Sequence, residues 1–368
     1  MKIDLDKLLS SKQQQPPEQV APAKPRLIDL DSLLFSRLGG ACDGRPLVRI
    51  GIPYVAESEF QKAILELNAP ALVSTGALWR KESGLQGWPA ALWKADYALD
   101  SGGFVAMLQG GYRWSTDDYV GWVMSHGGSE PGSAMPFPFA WWSAMDSCCE
   151  PEIAKDREEV LRRIDLTVLS YSNCLQSWLY YAVDEGFGAE VPEPMPIVQG
   201  RRPEDYVACA ERLADERTRW MRSRSASGSS YIFELFRVED EGGSPVHPAY
   251  LGLPEMIGVG SVCRREVEGP EGIIPVVEAL DKVLPGYTKL HLFGVKGSAL
   301  TSLKDRGLLH RVASIDSMAW DKAAQEAAKE LRRSGAPLPK GEKSHYNVRH
   351  RASFLKKFYN RQMERLKK

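Results

Sequence analysis

The chain has 368 residues, of which 43% are hydrophobic and 26% are charged, and its formal net charge is −1. This composition is typical of a globular protein with one large domain or two smaller ones. It excludes a membrane-spanning protein, since no apolar run approaches the ~18 residues of a transmembrane helix, and the polar, acidic start does not resemble a signal peptide.

The first forty residues contain a repeated motif. IDLDKLLS at 3–10 recurs as IDLDSLLF at 28–35, and a Pro- and Gln-rich stretch separates the two copies. This pattern predicts a flexible N-terminal extension over residues 1–40. The repeats are either a twin docking motif for a protein partner or a frayed tail.

From residue 46 onward, short apolar runs alternate with longer amphipathic stretches, which is typical of parallel strands joined by crossover helices. The eight predicted strands are 47–55, 71–78, 97–102, 138–146, 196–200, 256–262, 289–297 and 311–320. Helical patterns between them include 152–164, 203–221, 273–284 and 321–335. Eight such units favour a (β/α)8 TIM-type barrel over 46–335. A doubly wound sheet is the alternative, but the first strand lacks a Gly-rich phosphate turn.

The C-terminal segment, 336–368, is basic. Between Lys340 and Lys368 there are ten Lys or Arg and two Glu, so the remainder of the chain is acidic. Apolar residues at helical spacing predict an amphipathic helix with one basic side, the apolar positions being Val348, Ala352, Leu355, Tyr359 and Leu366. Such a tail either binds a polyanion or only solubilises the protein.

The six cysteines form no C-x-x-C pair. We therefore predict reduced thiols, a cytoplasmic protein and no zinc site. His345 and His350 have no further ligands near them in sequence, so no metal site is predicted there either.

Several predicted strands end in a polar residue or a glycine, namely Asp100, Asp146, Gln199, Gly260 and Asp316. In a barrel, the carboxyl ends of the strands line one mouth, where catalytic groups gather. Carboxylates with a glutamine and no metal motif suit attack at a sugar anomeric carbon, in which one carboxylate is the nucleophile and another moves protons.

At this point the sequence resembles a known family. LDSGGF at 99–104 resembles the DSGGF/Y signature of the tRNA-guanine transglycosylases that insert queuine and archaeosine precursors. The later strand ends follow in the family's order, in AWWSAMD, PIVQG, IGVGSV, LHLFGVKG and SIDSMAW. The resemblance extends over about 97–320.

The sequence departs from the tRNA enzymes beyond the last strand. Those enzymes carry a Cys-rich zinc module there, whereas this chain has no cysteine after Cys263 and has the basic tail instead. GVGSVCRR and SIDSMAWD look most like the DNA-acting, Dpd-type branch, the 7-deazaguanine DNA transglycosylases of bacteria and phages.

The resemblance implies an enzyme that exchanges guanine in DNA for a 7-deazaguanine base such as preQ0. DNA and the free base are the implied partners, and no cofactor is needed. Asp316 would be the nucleophile and Asp100 the proton shuttle. The residues implied to bind the base are Asp146, Gln199, Gly200, Gly260, Ser261, Gly102, Gly103 and Phe104.

Six basic residues are further candidates for contacts with nucleic acid: Arg264, Arg265, Lys296, Arg349, Lys356 and Lys357. Each is either a phosphate ligand or an ordinary surface charge. Two other functions stay open, a tRNA-guanine transglycosylase without the zinc module and a catalytically inactive nucleic-acid-binding subunit.

Overall fold

The computed structural model describes residues 45–52, 58–87, 96–127, 139–184, 192–226, 252–295 and 297–367. The N-terminal extension predicted over residues 1–40 lies outside them. No helix in these described ranges has both the length and the apolar character needed to cross a membrane.

Eight parallel strands form one sheet, and a short antiparallel ribbon, β3 with β4, lies beside it. The strands are β1 Leu47–Ile52, β2 Ala71–Ser74, β3 Trp79–Arg80, β4 Gly84–Leu85, β5 Tyr97–Asp100, β6 Phe139–Trp142, β7 Ile197–Val198, β8 Met256–Val259, β9 Lys289–Leu292 and β10 Val312–Ser317. The order in the large sheet is β6-β5-β2-β1-β10-β9-β8-β7. Each strand therefore neighbours the next barrel strand in sequence, as the repeated unit predicts.

β6 and β7, the first and last strands in this order, meet just beyond the end of β6. Met195 donates a backbone hydrogen bond to Trp142 (2.9 Å) and accepts one from Ala144 (2.9 Å), which makes a parallel bridge between Ser143 and Met195. This bridge closes the sheet, so the predicted (β/α)8 barrel is confirmed.

Helices surround the barrel. They are α1 Ser58–Leu67, α2 Thr75–Leu78, α3 Gly103–Leu108, α4 Thr116–Gly127, α5 Arg157–Leu179, α6 Pro203–Ala226, α7 Ile273–Asp281, α8 Gly297–Asp305, α9 Ala319–Arg333 and α10 Val348–Lys367. A π-helical turn, Tyr180–Asp184, continues α5, and a 3₁₀ turn, Leu309–Arg311, precedes β10.

Two layers of apolar side chains hold the barrel. A small cluster fills its interior and includes Leu72, Ala98, Trp141, Met195, Ile197 and Met256. The larger cluster lies between the sheet and the helices. Leu355 of α10 belongs to that outer cluster and is completely buried. The basic tail therefore contributes to the core through its apolar side.

The predicted strands are too long at their carboxyl ends. Residues 75–78 form the helical turn α2 rather than the end of β2, and 319–320 belong to α9 rather than to β10. The helical pattern at 152–164 becomes a helix only from Arg157, because the Asp156 side chain accepts the Glu159 N–H (2.8 Å) and caps the helix there. At the mouth of the barrel the strands therefore end several residues before the predicted apolar runs end.

Candidate active site

Three carboxylates meet at the carboxyl-end mouth of the barrel. Asp100 is the last residue of β5, Asp146 follows β6, and Asp316 lies near the end of β10. They are close enough that the charges of Asp146 and Asp316 both contribute to raising the pKa of Asp100. The prediction that these strand ends share one mouth therefore agrees with their positions.

Asp316 is held by the chain that follows β9. Its Oδ1 accepts a hydrogen bond from the Gly294 backbone N–H (2.7 Å), and His291 Nε2 lies 3.4 Å from the same oxygen. His291 Nδ1 is 2.7 Å from the Ser314 hydroxyl, which fixes the ring. Asp316 is 7% exposed, so its carboxylate has a fixed position and a small opening toward the mouth.

A β-bulge turns Asp316 inward. Between Val312 and Ser314, β10 advances two residues while β9 advances one. Val312 and Ile315 both pack in the outer core although they are three positions apart, an odd step that would put them on opposite faces of a regular strand, whereas Ala313 packs against the interior cluster. Strict alternation from Val312 would point Asp316 outward, so the bulge places its carboxylate in the mouth.

The ring of His291 is completely buried in the barrel interior. It contacts Trp141 and Phe293, with ring centroids 4.6 and 4.4 Å away. Burial lowers its pKa below the ordinary value and the charge of Arg49 acts in the same direction, whereas Asp316 opposes the shift. His291 is therefore neutral at pH 7 and supports Asp316 as a polar neighbour rather than as a counter-ion.

Asp100 lies in an environment that favours its protonated form. Burial, followed by the charges of Asp146 and Asp316, raises its pKa to about 8, although hydrogen bonds from the Gly102 backbone and the Ser74 side chain oppose the change. At pH 7 the Asp100 side chain is therefore protonated in most molecules, as expected of a general acid.

Asp146 is surrounded by hydrogen-bond donors. Ser101 Oγ donates to its Oδ1 (3.0 Å), the Tyr112 hydroxyl lies 3.3 Å from the same atom, and Gln199 Nε2 donates to Oδ2 (2.5 Å). Burial raises its pKa to about 6, an effect that these donors reduce and that the charge of Glu150 increases. Asp146 is therefore mostly ionised at pH 7 and is an acceptor on the wall of the mouth.

The amide of Gln199 is part of a buried chain of polar groups. Ser261 Oγ lies 2.5 Å from Gln199 Oε1 and 3.0 Å from Glu150 Oε2, and it accepts the Cys149 N–H (2.6 Å). Ser261 has a backbone φ of 55°, which is uncommon for a residue other than glycine. The chain fixes the amide orientation, and the strained backbone lies at the site wall.

Glycines are required where the backbone meets these polar groups. Gly102 has a φ of 82° and is the N-cap residue directly before α3. A Cβ at Gly103 would lie 2.2 Å from Asp146 Oδ1, and a Cβ at Gly260 would lie 2.1 Å from Gln199 Nε2. At the last two positions any side chain would displace the Asp146–Gln199 pair.

The aromatic side chain of Phe104 lies under a cation. The guanidinium carbon of Arg264 is 4.7 Å from its ring centroid, and Arg264 also pairs with Glu152. Arg265 has a different environment, since its guanidinium donates to the carbonyl oxygens of Gly200 (2.8 Å) and Glu271 (3.0 Å). Arg264 is thus at the rim, whereas these contacts of Arg265 connect the loops after β7 and β8.

The basic residues of the tail are not equivalent. Lys356 pairs with Glu66 of α1, whereas Lys357 lies over the Phe354 ring, 5.5 Å from its centroid. Arg349 is exposed at the start of α10. Lys296 lies outside the described residues.

Several residues of the site were not predicted from the sequence, among them three with titratable side chains. His291 is at an inward position of β9, Tyr112 follows α3, and Glu150 follows Asp146 by four residues. Glu150 meets Ser261 across 111 positions of the chain. The alternation of inward and outward residues in KLHL at 289–292 could have indicated that His291 faces the barrel interior. No local sequence pattern connects Glu150 or Tyr112 with the site.

The described part of the chain contains no group of three or more His, Cys, Asp or Glu side chains arranged to hold a metal ion. His345 and His350 each contact a backbone carbonyl oxygen, of Ala336 and Ala324 respectively, at 3.1 Å.

Comparison with protein families gives a match over most of the chain. The family described as DpdA, DeoxyPurine in DNA protein A, matches residues 62–218 and 246–356. The chain belongs to the DpdA family. Membership supports a part in DNA modification by deoxypurine replacement and implies DNA as the substrate. The match includes all three aspartates of the mouth.

A search of curated proteins found no match. Among solved structures, the fructose-bisphosphate aldolase Fba from Campylobacter jejuni is similar over 92% of this chain and 93% of its own, with a TM-score of 0.44 and 9% identity. A putative fructose-1,6-bisphosphate aldolase from Coccidioides immitis is similar over 90% and 93%, with a TM-score of 0.42 and 12% identity. The YdjI aldolase from Escherichia coli K12 is similar over 93% and 96%, with a TM-score of 0.35 and 12% identity.

Proposed function

We propose that this DpdA-family chain is a DNA-guanine transglycosylase. It exchanges guanine in DNA for a 7-deazaguanine base such as preQ0 through a covalent aspartyl intermediate. The observation that carries the proposal is the inward-facing Asp316, fixed by Gly294 and placed beside a second carboxyl, Asp100, whose proton is retained at neutral pH.

In the first half-reaction the target nucleotide enters the mouth, because a stacked base hides its C1′ atom. A carboxylate oxygen of Asp316 attacks C1′ and the bond from C1′ to N9 of guanine breaks. Asp100 gives its proton to the departing guanine and becomes a carboxylate. The product is an ester between Asp316 and the deoxyribose.

In the second half-reaction the deazaguanine base occupies the same pocket. Asp100 takes the proton from its N9 atom, N9 forms a bond to C1′, and the ester bond to Asp316 breaks. Both aspartates return to their starting states, so the exchange consumes no proton. One glycosidic bond replaces another, which is why we propose no cofactor.

Recognition of the base falls to the fixed polar wall. Asp146 accepts hydrogen bonds from a guanine-like edge, and the amide of Gln199 adds a donor and an acceptor. Gly260 and Ser261 offer backbone groups, while Gly102 and Gly103 leave room for a flat ring. We propose that Phe104 covers the ring, in which case Arg264 moves from its stacked position as the base binds.

The decisive experiment is base exchange with radiolabelled preQ0, with duplex DNA in one reaction and bulk tRNA in another. We expect label in DNA alone. Asp316→Asn should abolish both the exchange and the protein–DNA adduct on a denaturing gel, whereas Asp100→Asn should bind DNA but lose turnover by at least about a hundredfold.

Asp215→Asn, a change at an exposed position of α6, is the matched control and should exchange at the wild-type rate. Label in tRNA alone would transfer the proposed mechanism to tRNA and refute the DNA assignment. Full exchange by the Asp316→Asn variant would refute the nucleophile.

A further inference from the structure

A cavity of about 320 Å³ lies between the tail helix α10 and the barrel. Its walls include Gly297 and Ser298 at the start of α8, Ala319 and Trp320 at the start of α9, and side chains of α10. The α10 residues are Phe354, Lys357, Phe358, Arg361, Gln362 and Arg365.

The cavity is on the same end of the barrel as Asp316. Ala319 begins α9 three residues after Asp316 in sequence. Gly297 begins α8 three residues after Gly294, whose N–H holds the Asp316 carboxylate. The helices that follow β9 and β10 therefore begin both next to the site and in the cavity wall.

Three cations of α10 line the cavity. Lys357, Arg361 and Arg365 are spaced by four residues, so they form a stripe on one side of the helix, and all three are exposed. Within the described ranges, none of them forms an ion pair with an acidic side chain. The acidic residue nearest the start of α9, Asp321, is instead bound to Arg351 (2.8 Å) and to the Tyr346 hydroxyl (2.8 Å).

This arrangement is electrostatically unfavourable without an anion. Like charges spaced by four on a helix repel each other. The start of an α-helix also carries partial positive charge, and α8 begins against α10, since a Cβ at Gly297 would lie 2.0 Å from Gln362 Oε1 and 2.8 Å from Arg365 Nη1. A bound anion would offset both costs.

We propose that this cavity binds a backbone phosphate of the DNA strand, next to the nucleotide whose C1′ atom Asp316 attacks. The inference rests on the proposed function for its choice of nucleic acid. Arg361 and Arg365 bind the phosphate oxygens, Lys357 adds charge, and the rings of Phe354 and Phe358 contact the deoxyribose. The basic tail thereby aligns the sugar with the nucleophile.

The cavity explains why the cations of α10 differ. Lys356 is paired with Glu66 of α1, whereas the three cavity cations line the cavity at the start of α8 and α9. A tail that only solubilised the protein would need no such sorting. A phosphate also suits this place in the fold, because the loops after the seventh and eighth strands of many (β/α)8 barrels bind phosphate.

The test measures DNA binding by fluorescence anisotropy, without any deazapurine, on a labelled duplex that contains a single G·C pair. The variant is the double substitution Arg361→Gln and Arg365→Gln. We expect about tenfold weaker binding than wild type and a salt dependence whose logarithmic slope is lower by about one, the value for one lost phosphate contact. The control is Arg333→Gln at the exposed end of α9, which removes one positive charge, as each substitution of the double variant does. This control should bind DNA as tightly as wild type.

A second measurement locates the phosphate. A neutral methylphosphonate replaces one phosphate at a time around the guanosine. Wild type should lose about tenfold in affinity at one position beside that guanosine, and the double variant should lose less than twofold there. Equal sensitivity of the two proteins at every position, or an unchanged salt slope, would overturn the proposal.

The binding measurement separates this proposal from the proposed function. If the double variant loses DNA binding while wild type shows no base exchange, the phosphate site stands and the transglycosylase proposal is refuted. Normal exchange and normal binding by the double variant would do the reverse.

Discussion

At the scale of single residues, the same side chain type takes different protonation states in one mouth. Burial and two neighbouring charges raise the pKa of Asp100 to about 8, whereas the donors around Asp146 limit its pKa to about 6. Asp316 receives a backbone N–H instead. The proposed division of work between a proton carrier, a base-reading acceptor and a nucleophile follows from these surroundings.

The raised pKa of Asp100 predicts a pH-dependent stability difference. Well below pH 4 the carboxyl is protonated in both the folded and the unfolded chain, so its ionisation makes no contribution to the stability difference between wild type and Asp100→Asn. Between pH 4 and pH 8 the unfolded chain ionises while the folded chain keeps its proton, so wild type loses stability relative to the variant. This loss should approach roughly 6 kcal/mol by pH 8, at 1.36 kcal/mol for each of about four pKa units, and then stay constant.

Urea denaturation from pH 5 to pH 9 measures this difference, with Asp215→Asn as the control for loss of one exposed carboxylate. A stability difference for Asp100→Asn that shrinks as the pH rises would show that Asp100 is held as a carboxylate, contrary to the proposed acid role.

Gly103 gives a second prediction at this scale. Gly103→Ala places a methyl group 2.2 Å from Asp146 Oδ1 and 2.9 Å from the Tyr112 hydroxyl, so Asp146 must move. We expect a loss of about 1–3 kcal/mol in stability and at least a tenfold rise in KM for the free base. Calorimetry and exchange kinetics measure the two effects.

Gly286→Ala is the matched control, since a Cβ there has no heavy atom within 4 Å. A Gly103→Ala enzyme with an unchanged KM would mean that the position of Asp146 is not part of base recognition.

Residue types at strand ends were predictable, but their partners were not. Asp100 and Asp316 could be singled out because carboxylates at the carboxyl ends of barrel strands share a mouth. Glu150 approaches Ser261 only after β6 and β8 take their places in the barrel. Contacts of this kind depend on the closed sheet, and no local spacing encodes them.

At the scale of elements, irregularities place the functional groups. β10 contains a bulge between Val312 and Ser314, and β6 contains one opposite Tyr97 to Leu99. Each bulged strand leads to one aspartate of the mouth. The alternation of a regular strand could not have predicted the inward direction of Asp316, because a bulge depends on the neighbouring strand's register.

The docking of α10 gives the prediction at this scale. Arg351 is buried, donates to Asp321 (2.8 Å) and lies over the rings of Phe60 and Tyr346, each 4.9 Å from its guanidinium carbon. Arg351→Ala leaves the Asp321 carboxylate without this partner. We expect a loss of about 3 kcal/mol in the free energy of unfolding, measured by urea denaturation.

Arg349→Ala, two positions earlier and exposed, is the control for stability and should change the free energy of unfolding by no more than about 0.5 kcal/mol. Similar small losses for both variants would show that the Arg351 contacts do not anchor the helix.

At the scale of the whole molecule, the sequence predicted the barrel because eight apolar runs alternate with helical patterns, and this repeat is the barrel itself. The lengths of the strands were overestimated because apolar residues continue beyond the sheet, as in α2 at 75–78. The tail was predicted as a basic segment after the barrel from its charge, and as an amphipathic helix with one basic and one apolar side from its apolar spacing. Its apolar side is part of the same outer core as the barrel.

The last prediction separates those two sides. Removal of residues 336–368 exposes the surfaces of α1 and α9 that α10 covers and removes the buried Ala352 and Leu355 from the outer core. We expect Tm to fall by about 10 °C or more, because several buried apolar side chains are lost at roughly 2 kcal/mol each. The double substitution Arg361→Gln and Arg365→Gln should instead leave Tm within about 2 °C of wild type while it weakens DNA binding, since it removes charge without removing core. A truncated protein with the Tm of wild type would mean that the barrel is complete without α10, and the tail would then serve DNA binding alone.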